Sequence, residues 1–192
     1  MMKRTFIVIA LAACGGGSRA GKTDPSTAGK LGKMDSMMME GGGMGADAAS
    51  TFGPLEVGAD WQTYTKLNKA SFKSETHGGR MVDSYVNAIG LEAFNKGEDM
   101  PVGSIVVKTS KDSDDGSTGP VFVMEKRAAG FNKDHGDWWF AIHWADPPPM
   151  WKKRLGGGPV YWRTPSKKAD YCAKCHDDFV TGIGGVPDDQ KL

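Results

Sequence analysis

The chain has 192 residues and a formal net charge of +1. That length fits one domain, or one domain with a tail. A charge so close to zero gives no reason to expect a nucleic acid or a strongly acidic partner, so we expect no nucleic-acid binding.

The N-terminus has the layout of an export signal. Lys3 and Arg4 form a short positive region, and residues 5–13 are apolar but far short of the ~20 residues that span a bilayer. The run ends in the letters LAAC, which resemble a bacterial lipobox and predict cleavage before Cys14, with lipid on that cysteine. The alternative is a plain secretory peptide with a chance cysteine. Because Gly15 favours the outer membrane, we expect a lipid-anchored protein on the periplasmic side of a bacterial membrane.

Residues 14–52 form a low-complexity segment between this signal peptide (1–13) and the rest of the chain. They contain almost no aromatic or β-branched residues, so they cannot bury enough apolar surface to offset the entropy of ordering. We predict a flexible tether. It carries a methionine cluster, made of Met34, Met37, Met38, Met39 and Met44. Thioethers are soft ligands for Cu(I), so the cluster is either a copper site or, as we favour, a biased solvated linker.

Residues 53–192 contain the patterns of a folded domain. The first part predicts an amphipathic helix at 60–72, a turn at 77–79, a strand at 81–86 and a helix at 87–94. After a turn at 101–103 come two strands, at 104–109 and 121–126, joined by a polar loop, and then a loop at 129–137 and a strand at 138–144. Prolines at 147–149 end the strand pairing, and a strand at 159–162 and a helix around 167–179 follow. Strands joined by hairpin-like loops indicate an antiparallel sheet. The fold class is therefore α+β and β-dominant, with a few helices flanking the sheet.

Cys172, Cys175 and His176 form a CxxCH sequence, the attachment signature of a c-type haem. On a helical turn, thiols three residues apart reach two vinyl groups of one porphyrin, and the next histidine binds the iron as proximal ligand. A redox disulfide or half of a metal site is the alternative. With Cys14 lipidated, no second cysteine pair remains to complete a tetrahedral zinc site. We predict one covalent haem c on a C-terminal haem-attachment helix.

The haem motif lies near the end of the chain, with 16 residues after His176 and no methionine among them. A sixth iron ligand would come from upstream, and the sequence does not separate the candidates, which are Met81, Met100, Met124, Met150, His77, His135 and His143. We expect an iron that is five-coordinate or weakly six-coordinate and open to a small ligand. This expectation argues against a pure electron-transfer role.

Several short motifs stand in a fixed order before the haem motif. They are YVN at 85–87, PVGSIVVK at 101–108, VMEKR at 123–127 and GDWWF at 136–140. Their order resembles the cytochrome P-460 family over residues 55 to 180. The resemblance implies a largely antiparallel β structure and a homodimer. It also implies nitrogen-oxide chemistry, since the family includes hydroxylamine-oxidising cytochromes P-460 and the nitric-oxide-binding cytochromes c-prime-beta.

The resemblance also implies a role for Lys108 and for a carboxylate near the haem motif. Lys108 matches the lysine that bonds covalently to the porphyrin in the enzymes; otherwise it is a solvated strand lysine. The enzymes take protons from bound substrate with a carboxylate shortly before the haem motif. Asp170 is the acid in that segment, unless it caps the haem helix instead. Glu125 is the other candidate base, although a strand residue of this kind commonly faces solvent.

Four aromatic residues have two possible roles, and they are Phe122, Trp138, Trp139 and Phe140. They are either core residues or an apolar cap over the iron, and such a cap would favour the binding of neutral diatomic gases.

Three functions remain open: a hydroxylamine oxidoreductase, a nitric-oxide-binding module without catalysis, and a membrane-tethered electron carrier. We favour hydroxylamine oxidation at an open haem iron. The expected partners are a small nitrogen-oxide substrate, a periplasmic redox partner and the membrane.

Overall fold

The computed structural model describes residues 48–179 and 183–192. The predicted signal peptide, the lipid site Cys14 and the tether as far as residue 47 lie outside the described residues. Within the described part, no helix has both the length and the apolar character that a membrane span requires.

Seven strands form one antiparallel sheet in the described part of the chain, which confirms the predicted sheet. The strands are β1 (Thr65–Lys66), β2 (Phe72–Ser74), β3 (Arg80–Val86), β4 (Ile105–Lys111), β5 (Val121–Lys126), β6 (Trp138–Trp144) and β7 (Val160–Arg163). Strands β3 to β7 pair in chain order, and β1 and β2 both pair with the side of β3 that faces away from β4. β-branched and aromatic residues are frequent in these strands, as a pleated, half-buried surface favours.

Helices flank this sheet. Among the described residues the α-helices are α1 (Ala88–Lys96), α2 (Pro149–Arg154) and α3 (Asp170–His176). Short 3-10 turns lie at Ala48–Ser50, Trp61–Thr63, Glu75–His77, Lys133–His135, Lys167–Ala169 and Asp188–Gln190. The α+β class is confirmed, and the C-terminal helix α3 carries the CxxCH sequence.

The helix predicted across residues 60–72 is wrong. Trp61–Thr63 form only a 3-10 turn, and the chain then pairs with β3 through β1 and β2. Trp61 and Leu67 pack in different hydrophobic clusters, on opposite faces of the sheet. The segment crosses the sheet edge, so strand pairing overrides the local periodicity. Helix α2 was not predicted either; it begins at Pro149, because proline fits the first helical turn, where its missing N–H is not needed.

Side chains alternate between two faces of the sheet. One face, which we call the site face, carries in successive rows Val106, Met124 and Phe140, then Lys108, Phe122 and Ile142. Helices α1 and α3 pack on the site face through Ala93 and Ala173. The opposite face carries the intervening residues, among them Val107 and Val123, and packs against side chains of segment 55–64.

Asn87 joins helix α1 to the strand that carries Lys108. Its side-chain oxygen accepts from Gly90 N at 3.2 Å, which caps α1, and from Ile105 N at 3.0 Å, at the start of β4. Its amide nitrogen donates to the Gly103 carbonyl at 2.8 Å. One buried side chain therefore ties the start of α1 to the turn and strand that follow it.

We expect Asn87→Ala to lower the free energy of unfolding by about 2–3 kcal/mol, because it removes a helix cap and leaves two further backbone groups without partners. Urea denaturation followed by circular dichroism measures the change. Asn95→Ala is the control, since Asn95 is exposed on the same helix and its loss should change the free energy by less than about 0.5 kcal/mol. Equal effects of the two substitutions would contradict the anchoring role of Asn87.

Candidate functional site

Helix α3 places Cys172 and Cys175 about one turn apart, on neighbouring positions of the helix surface. Cys172 is half-buried and packs against the hydrophobic clusters of the site face, while Cys175 is exposed. Both thiols are free. Burial raises the pKa of the Cys172 thiol to about 12. The helix therefore presents one thiol to the apolar face and the other at its rim.

The His176 imidazole lies among aromatic rings on the site face. Its ring centroid is 5.8 Å from that of Phe140, 6.2 Å from that of Phe179 and 6.5 Å from that of His77. Aromatic side chains offer water few hydrogen bonds, so the imidazole has a largely apolar setting.

His77 reaches the same place from the turn between β2 and β3. Its Nδ1 lies 2.8 Å from the Ser74 hydroxyl, and its ring meets Phe122 edge-on with 4.8 Å between centroids. Burial, and then the positive charges of Lys108 and His176, lower the pKa of His77 to about 3. His77 is therefore neutral near pH 7.

Lys108 extends from the site face of β4. Its strand neighbours are Ser84 of β3 and Phe122 of β5. Burial lowers the pKa of the Lys108 amine to about 8, and no described residue supplies this amine with a hydrogen bond or an ion pair. An amine in such a setting is costly without a partner, so this position suits contact with a bound group.

The two candidate proton acceptors lie on different sides of the sheet. Glu125 faces away from the site face, where it forms an ion pair with Arg127. Asp170 is exposed in the first turn of α3 and lines a cavity of about 170 Å³ together with Phe140. The structure thus brings Asp170, but not Glu125, to the side of the sheet that carries the CxxCH sequence.

The aromatic residues also divide between the faces. Phe122, Trp138 and Phe140 lie on the site face, whereas Trp139 lies in the cluster of the opposite face. The possible role of Trp139 in an apolar cap over the iron is therefore wrong, because neighbouring residues in a strand point to opposite faces of the sheet. His77, which the sequence left among several candidates, is the histidine whose ring the structure places beside the ring of His176.

This set of side chains suits a porphyrin, with thiols for its vinyl groups, an imidazole for its iron and aromatic rings against its apolar surface. The fold and the site define a haem cytochrome. The Cytochrome P460 family profile matches residues 59–181, and the chain belongs to that family. A search of curated proteins finds no match.

Asp177, the residue after His176, is held by the loop between β5 and β6. Its Oδ2 lies 2.7 Å from His135 Nδ1, and the side chains of His135 and Asp177 are 31% and 38% exposed. The contact joins the loop to the end of α3, so it helps to fix the position of His176.

We expect a coupling energy of about 0.5–1 kcal/mol between His135 and Asp177, because the pair is close but partly solvated. A double-mutant cycle with His135→Ala and Asp177→Ala, with urea unfolding of each purified variant, measures this energy. Strictly additive effects would show that the contact does not hold the end of the helix.

Proposed function

We propose that this cytochrome P460 carries one haem c, bonded to Cys172 and Cys175 with His176 on the iron, and that it oxidises hydroxylamine. A bound haem supplies a redox-active iron that takes electrons from a substrate and passes them on. The observation that carries the proposal is Lys108, an unpartnered amine on the same apolar face as His176.

Lys108 is suited to contact with the porphyrin edge. Because burial lowers its pKa to about 8, roughly a tenth of the amine is uncharged and nucleophilic at pH 7. Its resemblance to the lysine of the hydroxylamine-oxidising members supports a covalent bond between Nζ and the porphyrin. That bond would replace one N–H and one ring C–H bond, and two electrons and two protons would leave to an external oxidant such as dioxygen. Such a bond would alter the redox behaviour of the ring.

Hydroxylamine loses protons along with electrons, so its oxidation needs a proton acceptor beside the substrate. Asp170 suits this role, since it is exposed beside the haem motif and borders the cavity next to Phe140. Glu125 is paired with Arg127 on the opposite face and has no part in the proposal.

Binding of nitric oxide without turnover is the second candidate function. Phe122 and Phe140 present aromatic rings on the site face, 4.8 Å from the His77 ring and 5.8 Å from the His176 ring between centroids. An apolar pocket favours a neutral diatomic gas over water and anions. This function needs neither the amine of Lys108 nor a proton acceptor.

The N-terminal sequence supports export and a lipid anchor at Cys14, on the periplasmic side of the outer membrane. An anchor there would keep the haem domain among periplasmic redox proteins. We propose that one of these takes the electrons that the haem receives from hydroxylamine.

We expect acid–acetone extraction to leave the haem on the wild-type chain, because thioether bonds survive unfolding. A Cys172→Ala/Cys175→Ala chain should release all its haem under the same treatment. Mass spectrometry of the intact wild-type protein should show the mass of one haem. Release of haem from the wild type would show that the attachment is not covalent.

We expect Lys108→Met to abolish hydroxylamine oxidation and to leave the haem attached, because methionine keeps an apolar chain of similar length but removes the amine. Turnover with an artificial electron acceptor measures the loss. The dithionite-reduced wild type should show a red-shifted, broadened Soret band that returns to an ordinary c-type position in the variant. Lys111→Met is the matched control, since Lys111 is exposed on the same strand and lies on the other side of the sheet.

Unchanged turnover in Lys108→Met would contradict the role of Lys108. Absence of turnover in the wild type, together with tight binding of nitric oxide to its reduced form, would favour the second candidate function over hydroxylamine oxidation.

A further inference from the structure

We infer that His77 binds the haem iron opposite His176 in the resting protein, and that a substrate or gas must displace it. The inference rests on the haem assigned above to this site, but not on hydroxylamine turnover. It names a sixth ligand that the sequence left open among seven side chains.

The spacing of the two imidazoles is the first argument. Their ring centroids are 6.5 Å apart, with an angle of 71° between the ring planes. Two imidazoles on opposite sides of one metal ion, each with a metal–nitrogen bond of about 2 Å, have centroids roughly 6 Å apart. The observed spacing therefore fits one iron between His77 and His176, and it leaves no room for a further ligand between them.

The hydrogen bond to Ser74 is the second argument. Ser74 is only 9% exposed, and its hydroxyl lies 2.8 Å from His77 Nδ1, with the Thr76 hydroxyl at 3.2 Å. We assign the proton to Nδ1, which donates to Ser74 Oγ and leaves the lone pair of Nε2 free. Metal-binding histidines are commonly oriented through their second ring nitrogen in this way.

The other histidines are occupied elsewhere. His143 lies on the opposite face, where its Nε2 is 3.0 Å from the Gly53 carbonyl and its ring stacks on Phe52. His135 is held by Asp177.

The methionine candidates also have other places. Met100 and Met124 are packed side chains of the site-face cluster, where Met124 lies between Val106 and Phe140, and Met150 is exposed on α2. Met81 lies on β3 between the inward-facing Arg80 and Val82, so it points away from the site face.

The backbone around His77 suits a ligand that can leave. His77 ends the 3-10 turn Glu75–His77, and Gly78 and Gly79 follow with φ of 77° and 69°. Only glycine adopts such angles without strain, and its wide conformational freedom lets this turn rearrange while β2 and β3 stay paired. Because an incoming ligand must first displace His77, its apparent affinity would be its intrinsic affinity multiplied by the fraction of molecules in which His77 has left the iron.

The spin state of the purified, haem-loaded ferric protein tests the inference. We expect a low-spin wild type by absorption and electron paramagnetic resonance, because two imidazoles give a strong ligand field. His77→Ala should become high-spin, and added imidazole should restore the low-spin spectrum. His143→Ala is the matched control and should remain low-spin.

Cyanide binding gives a second measurement. If His77 is off the iron in a tenth of the wild-type molecules at any time, His77→Ala should bind cyanide about tenfold more tightly than the wild type.

A high-spin wild type, or a low-spin spectrum that survives in His77→Ala, would overturn the inference. Near-infrared magnetic circular dichroism of the wild type gives an independent answer if the variant fails to fold. It distinguishes two imidazole ligands from imidazole with an amine or a thioether, and either of the latter pairs would also overturn the inference. Loss of hydroxylamine turnover alone would leave these spectra unchanged, so the two proposals fail separately.

Discussion

The site depends on the two-residue alternation of side chains along β4, β5 and β6. Lys108 points to the site face because Val107, next to it, is fully buried on the opposite face. A slip of one residue in β4 would exchange the two and place an ammonium in the opposite core, at a cost that few folds tolerate. Asn87 anchors the start of the same strand, at Ile105 N. Strand register therefore sets the position of the amine before any cofactor is bound.

Burial on the site face shifts its two basic groups, Lys108 and His77, toward their uncharged forms. The pKa values of Lys108 and His77 are both lowered, to about 8 and about 3, and burial is the first cause in each case. His77 is shifted further because Lys108 and His176 add positive charge beside it. At pH 7 the His77 imidazole is therefore neutral, while roughly a tenth of the Lys108 amine is uncharged. That is the form in which an amine attacks an electrophile and an imidazole binds a metal.

The sequence predicted those parts of the molecule that depend on local pattern. The β-branched and aromatic runs of β4 and β6 and the capped helix after Asn87 follow from periodicity and end signals. The helix expected at 60–72 failed because pairing with β3 decides the conformation of that segment. The alternation of side chains along β4 places Lys108 and its sequence neighbours on opposite faces of the sheet, but it does not show which face the haem motif packs against. For the same reason it could not assign Glu125 to the opposite side, since the packing of α3 decides this.

His77 was the hardest residue to single out, because a turn shows no periodicity that reports its tertiary contacts. His77 and His176 are 99 positions apart in the chain, and the pairing of the strands that separate them in sequence brings them together on one face of the sheet. The fixed parts of the site lie on central strand β4 and on helix α3. His77 instead follows β2, a three-residue strand that pairs only with β3 at the sheet edge. Edge elements open at lower free energy than central strands. The fold therefore places His77, which we infer to move, in a turn beside a short edge strand, and it keeps Lys108 and His176 on a central strand and a helix.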